Sequence, residues 1–189
     1  AFSGHTMYGP MGIGGLWGRK EILEKMGPFL TGGGTISEVH KEGTVFADLP
    51  DRFDAGTPNV AGAVGLKAAV EYLQGLGMDQ VREHARELTQ YAIEKLKRVE
   101  GVKIYGPEDI EKRGGLVAFT VDGVHAHDVA QILDSEGVAV RSGHHCTMPM
   151  HEKLGIAGTT RVSLGIYNTK EEIDRLIEGL KKARDIFRA

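Results

Sequence analysis

The sequence predicts an α/β protein: a small α/β sandwich behind a loop-rich front. Three observations carry this. From Val102 to the C-terminus, strand-like and helix-like segments alternate, the order expected when helices pack on a sheet. The 27 glycines crowd the front of the chain and thin out behind it, so the front suits turns and close backbone approach to a ligand. At 189 residues the chain can bury a core as one domain, or as one domain plus an extension. The expected division is a loop-rich 1–60 and an α/β 61–189.

In order, Ser3-Gly4-His5-Thr6-Met7-Tyr8-Gly9-Pro10 is a polar, glycine-punctuated turn. Its small residues, hydroxyl and imidazole leave two readings open, an anion cradle and a plain turn. Gly12 to Gly18 can form a short strand, and Lys20 to Met26 a short helix stopped by Gly27-Pro28. Thr31 to Asn59 shows little periodicity and reads as a functional loop or partner-binding arm. Asn59 can cap a helix over 60–76 that Gly75 and Gly77 end. Asp79 is the N-cap candidate for an amphipathic helix over 80–99, with apolar residues spaced by three and four.

Strands follow at 102–105, 116–121 and 138–141, with a helix at 127–136 and His125 and His127 flanking its start as cap or surface groups. After a helical turn at 150–154 comes a strand at 160–164. Thr169 and Glu172 then form a capping-box signal for a last helix with Ile173, Leu176, Ile177 and Leu180 on its apolar stripe.

Composition excludes several function classes. With 41% hydrophobic residues, 26% charged residues and a net charge of −3, nothing recommends a nucleic acid or an anionic membrane as partner. There is no apolar run long enough to span a bilayer, and the opening residues lack the features of a signal peptide. A single cysteine cannot form an intrachain disulfide, which fits a reducing cytoplasm.

That cysteine stands in Arg141-Ser142-Gly143-His144-His145-Cys146-Thr147-Met148-Pro149. A thiol reacts as thiolate, and a nearby cation or protonated imidazole increases the thiolate fraction. A lone cysteine can also be an inert core residue, but the polar residues before it and the Thr-Met-Pro after it place Cys146 on an exposed loop. A zinc site drawn from His144, His145, Cys146 and His151 is disfavoured, because neighbours in an extended segment point to opposite sides and the usual ligand spacings are missing.

Four strings now stand in order: SGHTMYGPMGIGGLWGRK at 3–20, RFDAGTPN at 52–59, RSGHHCTMP at 141–149 and TRVSLGIYNTKEEID at 160–174. Together they resemble the C-terminal half of a cysteine desulfurase, of the SUF-type (group II) branch of the class V aminotransferase-like, fold-type I pyridoxal phosphate (PLP) enzymes. The resemblance implies the C-terminal part of a PLP-dependent transferase fold, with 1–60 a remnant of the large PLP-binding domain with active-site loops and 61–189 the small α/β domain including the linking helix. It also implies an enzyme that converts L-cysteine to L-alanine, leaves a persulfide on Cys146, and passes sulfur to an acceptor or iron–sulfur assembly protein. Arg161 matches the arginine that grips the substrate carboxylate, a task suited to a planar fork of donors, and Arg141 a second active-site arginine. Ser3 and His5 match residues that hold the cofactor phosphate. Gly56 and Thr57 match groups supplied to the partner subunit's phosphate, which implies a homodimer.

The departure is at Thr6, which stands where the family pattern has the PLP lysine. A hydroxyl forms no Schiff base and offers no amine to shuttle a proton. With the resemblance confined to the C-terminal half, the chain is expected to be a fragment, inactive alone. A cofactor-free persulfide relay or interaction module is the alternative function, and a His/Cys metal-binding module a more remote one.

Overall fold

The computed structural model describes residues 1–188. The chain divides into two compact units, Ala1–Gly77 and Met78–Ala189.

In the first unit, β1 (Phe2–Ser3) pairs antiparallel with β2 (Gly14–Gly15), and a 3-10 turn at Gly4–Met7 lies between them. Glycine is required at 14, where a Cβ would meet the Phe2 carbonyl oxygen at 2.4 Å. A four-residue helix, α1 (Lys20–Leu23), falls within the expected helix at 20–26. The segment expected to be irregular contains an antiparallel hairpin, β3 (Ile36–His40) and β4 (Gly43–Phe46), with a bulge between Ile36 and Glu38. Ile36, Val39 and Val45 are exposed, so the hairpin has no buried stripe, and without one it leaves no period-2 pattern to read.

Helix α2 (Val60–Leu76) is capped as expected. Asn59 Oδ1 accepts from the Gly62 N–H at 2.9 Å, and its Nδ2 donates to the Gly12 carbonyl at 3.0 Å. Gly77, at φ 86°, ends the helix. The helix packs on the N-terminal turn: a Cβ at Gly65 would lie 2.9 Å from the Pro10 ring, and one at Gly9 would lie 3.2 Å from Leu66. Those contacts group α2 with the first unit, so the compact units part after Gly77 instead of at residue 60.

The second unit is built on strand alternation. It contains α3 (Met78–Leu96), β5 (Val102–Tyr105), β6 (Leu116–Val121), α4 (Ala126–Ser135), β7 (Arg141–Gly143), α5 (Met148–Leu154), β8 (Thr159–Ser163) and α6 (Lys170–Arg188). The four strands form one sheet in the order β5-β6-β8-β7, every neighbour antiparallel. Along β6, Val117, Phe119 and Val121 are buried, and with Val162 of β8 they meet Leu88, Ala92 and Leu96 of α3, Val129 and Leu133 of α4, and Ile173, Leu176 and Leu180 of α6. Helices on one face of a sheet make the expected small sandwich.

Boundaries differ from expectation where caps decide them. Helix α3 begins at Met78, directly after Gly77, so Asp79 lies in its first turn rather than at the N-cap, where its carboxylate still complements the helix dipole. His125 caps α4 through Nδ1, which accepts from the His127 N–H at 3.2 Å. No strand forms over 138–140, because the Val138 N–H closes the end of α4 on the Leu133 carbonyl; pairing starts at Arg141. The expected capping box of α6 shows its return bond, Glu172 Oε2 accepting from the Thr169 N–H at 2.9 Å.

Phe119 is fully buried at the centre of this core. Phe119→Ala should lower the stability of the second unit by about 3–5 kcal/mol, read as a lower urea midpoint by circular dichroism.

Candidate functional site

Arg141 and Arg161 are directly opposite each other on the antiparallel pair β7–β8, and Ala118 of β6 is opposite Arg161 on its other side. Val162 faces the core, so by strand alternation Arg161 projects from the opposite face of the sheet. The residue row across the three strands is thus Ala, Arg, Arg, with the small residue leaving space beside the guanidinium. Like charges directly opposite destabilise a sheet, and none of the ion pairs among the described residues involves either arginine. Arg161 Nε is buried with no hydrogen-bond partner. Two unpaired guanidinium groups and an orphaned buried donor make a site that an anion, above all a bidentate carboxylate, would satisfy.

Strand β7 delivers the chain into the cysteine loop. Cys146 is exposed and free, as the polar flanks predict, and sits at φ 62° after His145 at φ 49°. Two successive left-handed residues turn the chain sharply between the strand and α5. The Thr147 N–H and Oγ1 both bond the His144 carbonyl, at 2.8 and 2.7 Å, closing the turn behind the thiol.

The histidines play different parts from the one suggested by their neighbourhood. His145 Nε2 is held at the Thr159 carbonyl and hydroxyl, 3.0 and 3.1 Å away. Burial pushes its pKa below the ordinary 6.5, against the raising effect of the Thr159 carbonyl, and the positive charges of Arg161 and Arg141 push the same way as burial. His145 is therefore a neutral ring around pH 7, not the protonated imidazole that would favour a thiolate at Cys146. His151 is 2% exposed, and its ring lies edge-on to His144 at 5.4 Å. Among the described residues no group of three His, Cys, Asp or Glu side chains could hold a metal ion. Thr159, which shares His145 and His151, escaped the sequence reading; nothing in a strand threonine announces a partner 14 residues upstream.

The other expected site residues lie in the first unit. Ser3 is half-buried, and His5 and Thr6 are exposed on the 3-10 turn. Gly56, at φ 84°, and Thr57 line an open groove with Ile13, Gly14 and the start of α2. The Thr6 hydroxyl donates to the Ser3 carbonyl at 2.8 Å.

The chain matches the Aminotransferase class-V family over residues 1–176 and belongs to it. It is 53% identical over 187 residues to Probable cysteine desulfurase 2 of Mycobacterium leprae, an alignment covering 99% of this chain and 45% of that protein. Its fold is similar to that of the cysteine desulfurase CsdA (S-sulfonic acid) from Escherichia coli, with TM-score 0.90 and 39% identity over 98% of this chain and 46% of that one. The apo cysteine desulfurase of Thermococcus onnurineus NA1 gives TM-score 0.89 and 43% identity, covering 96% and 45%. The chain thus spans a little under half the length of the relatives it matches.

The family uses PLP, and the residues at 3–6 do not fit it as a covalently anchored group. Position 6 presents a hydroxyl, already engaged by the Ser3 carbonyl, in place of an amine.

Two outcomes follow from the geometry. Arg161→Met removes both the like-charge pair and the orphaned Nε, so the second unit should be as stable as before or more stable by about 1 kcal/mol, measured by urea denaturation; a clear loss would mean the arginine is structural. The His145 ring should titrate below 6.5 by NMR. Because its folded pKa is lowered, the unfolded chain binds the proton first, so His145 makes stability fall as pH drops from 6.5 toward the folded value.

Proposed function

We propose that this chain carries the sulfur-handling half of a cysteine desulfurase, with Cys146 as the thiol that accepts sulfur and Arg161 and Arg141 as the groups that take the carboxylate of L-cysteine. The observation that supports this most directly is the opposed, unpaired arginine pair one short loop away from a free, exposed cysteine. An amino-acid carboxylate answers the fork of Arg161 with two parallel hydrogen bonds. The Cys146 thiolate, exposed at the turn, is the nucleophile that would take the sulfur, with the electrons of the broken C–S bond of L-cysteine accepted by the PLP ring when that cofactor is bound.

Ser3 and His5, with Gly56 and Thr57, are the groups proposed to hold a cofactor phosphate, the latter two across a homodimer. An acceptor protein, such as one assembling iron–sulfur clusters, would take the sulfur, and a cytoplasmic setting fits the single free thiol. No helix among the described residues is long and apolar enough to cross a membrane.

Thr6 favours a second reading of the same site. Without an amine to anchor PLP, sulfur must reach Cys146 already oxidised to the sulfane level, and the chain acts as a persulfide relay. The step balances without a redox partner: the Cys146 thiolate attacks the terminal sulfur of a persulfide donor, an S–S bond forms as another breaks, and the donor leaves as thiolate.

Incubating the chain with a small persulfide donor should add the mass of one sulfur atom at Cys146, mapped by mass spectrometry and reversed by dithiothreitol. Cys146→Ser should take up none. Uptake that persists in the serine variant, or no uptake by the unmodified chain, would remove Cys146 from both readings.

A further inference from the structure

Cys146 occupies a backbone conformation that residues with a side chain avoid. The left-handed pair His145 (φ 49°) and Cys146 (φ 62°) is strained for residues that carry a Cβ and persists only if its surroundings hold it.

The two carbonyls around it fix two proton positions. The Thr159 carbonyl can only accept, so His145 Nε2, 3.0 Å away, carries a proton and donates to it. The Thr147 carbonyl can only accept, so His151 Nδ1, 3.0 Å away, carries a proton and donates there. In a neutral ring His151 Nε2 is then an acceptor, and the Thr159 hydroxyl, 3.3 Å away, donates into it. The same hydroxyl oxygen accepts from His145 Nε2 at 3.1 Å. One threonine, 3% exposed, and one histidine, 2% exposed, therefore connect the residue before Cys146 to the residue after it.

We infer that Thr159 and His151 are positioning residues that, through His145 and Thr147, clamp both flanks of Cys146 and hold its thiol in one presented conformation. The clamp gains its purpose from the reading of Cys146 as sulfur acceptor, on which the inference rests. Attack on sulfur requires an aligned approach, and a thiol fixed before its donor arrives avoids the ordering cost at the moment of reaction. Burial supports the arrangement by keeping His145 neutral, so its ring needs no counter-ion within the loop.

The test separates hydrogen bonding from packing. Thr159→Val keeps the shape and removes the hydroxyl, while Thr159→Ser keeps the hydroxyl. In the unmodified chain, nitrogen chemical shifts should show His151 as the Nδ1–H tautomer and His145 as the Nε2–H tautomer. Amide exchange at Thr147, whose N–H bonds the His144 carbonyl, should become about tenfold faster in Thr159→Val and return to near the original rate in Thr159→Ser, with Phe119 in β6 unaffected.

A proton on Nε2 of His151, an unchanged Thr147 rate in Thr159→Val, or a serine variant as fast as the valine one would each overturn the inference. If Thr159→Val does not fold, the two tautomers in the unmodified chain decide it. Failure of sulfur uptake with the expected tautomers and protection would count against the proposed function alone, because these readouts involve no sulfur chemistry.

Discussion

The pairing of β7 with β8 is the constraint on which the candidate site depends. It sets Arg141 against Arg161 and Gly143 against Thr159, and so assigns one end of a three-residue ladder to charge and the other to the cysteine loop. A sheet optimised only for stability would not oppose two arginines, since like charges across a ladder repel. The opposed pair persists because the core is built from the other face: Val117, Phe119 and Val162 carry the packing, and the arginine face is released from that duty. The arrangement is consistent with the general trade between stability and function, in which unsatisfied groups are kept where a ligand completes them.

The cysteine loop follows from the same pairing. Gly143, at φ 113°, is the last strand residue, and the chain must reverse before α5 begins at Met148. His145 and Cys146 adopt the left-handed conformations within that reversal. Thr159 is opposite Gly143 in the register, so its hydroxyl arrives beside the loop as a consequence of strand pairing. The buried ring of His151 comes from the first turns of α5. The opposed arginines and the placement of the thiol are therefore two results of one register, and a slip by one residue would turn Arg161 toward the core.

How much of this was legible in the sequence depends on whether the signal was local. The cap at Asn59, the capping box at Thr169 and Glu172, and the apolar stripe of α6 are encoded within a few residues and were readable as such. The exposed Cys146 was also readable, from its polar flanks. The strand expected at 138–141 fell later because Val138, β-branched and apolar, has its N–H taken by the end of α4; strand propensity there yields to a helix cap. The hairpin at β3–β4 was invisible because its apolar side chains are exposed, and the packing of α2 on the N-terminal turn, which groups it with the first compact unit, was not legible because a helix rich in small residues shows no strongly favoured face. The opposition of Arg141 and Arg161 needed the register, and the role of Thr159 needed the register and two imidazoles besides.

Thr6 shows which part of the site such a substitution reaches. The 3-10 turn at Gly4–Met7 is intact, and the threonine hydroxyl bonds the Ser3 carbonyl within it. Lysine is longer and carries its donors at the far end of a flexible stem, so replacing it by threonine removes a reactive amine while leaving a residue able to bond the local backbone. The backbone that brings Ser3 and His5 onto the turn does not depend on the amine. The second unit has its own core, and Arg141, Cys146 and Arg161 all belong to it. The chemistry therefore divides as the chain does. Position 6 of the first unit offers no amine to bind a carbonyl cofactor covalently, while the groups proposed to recognise a carboxylate and to accept sulfur all belong to the second. Sulfane transfer to a thiolate needs only a thiolate, a leaving thiol and access, all of which Cys146 can have on its clamped loop without an amine at position 6.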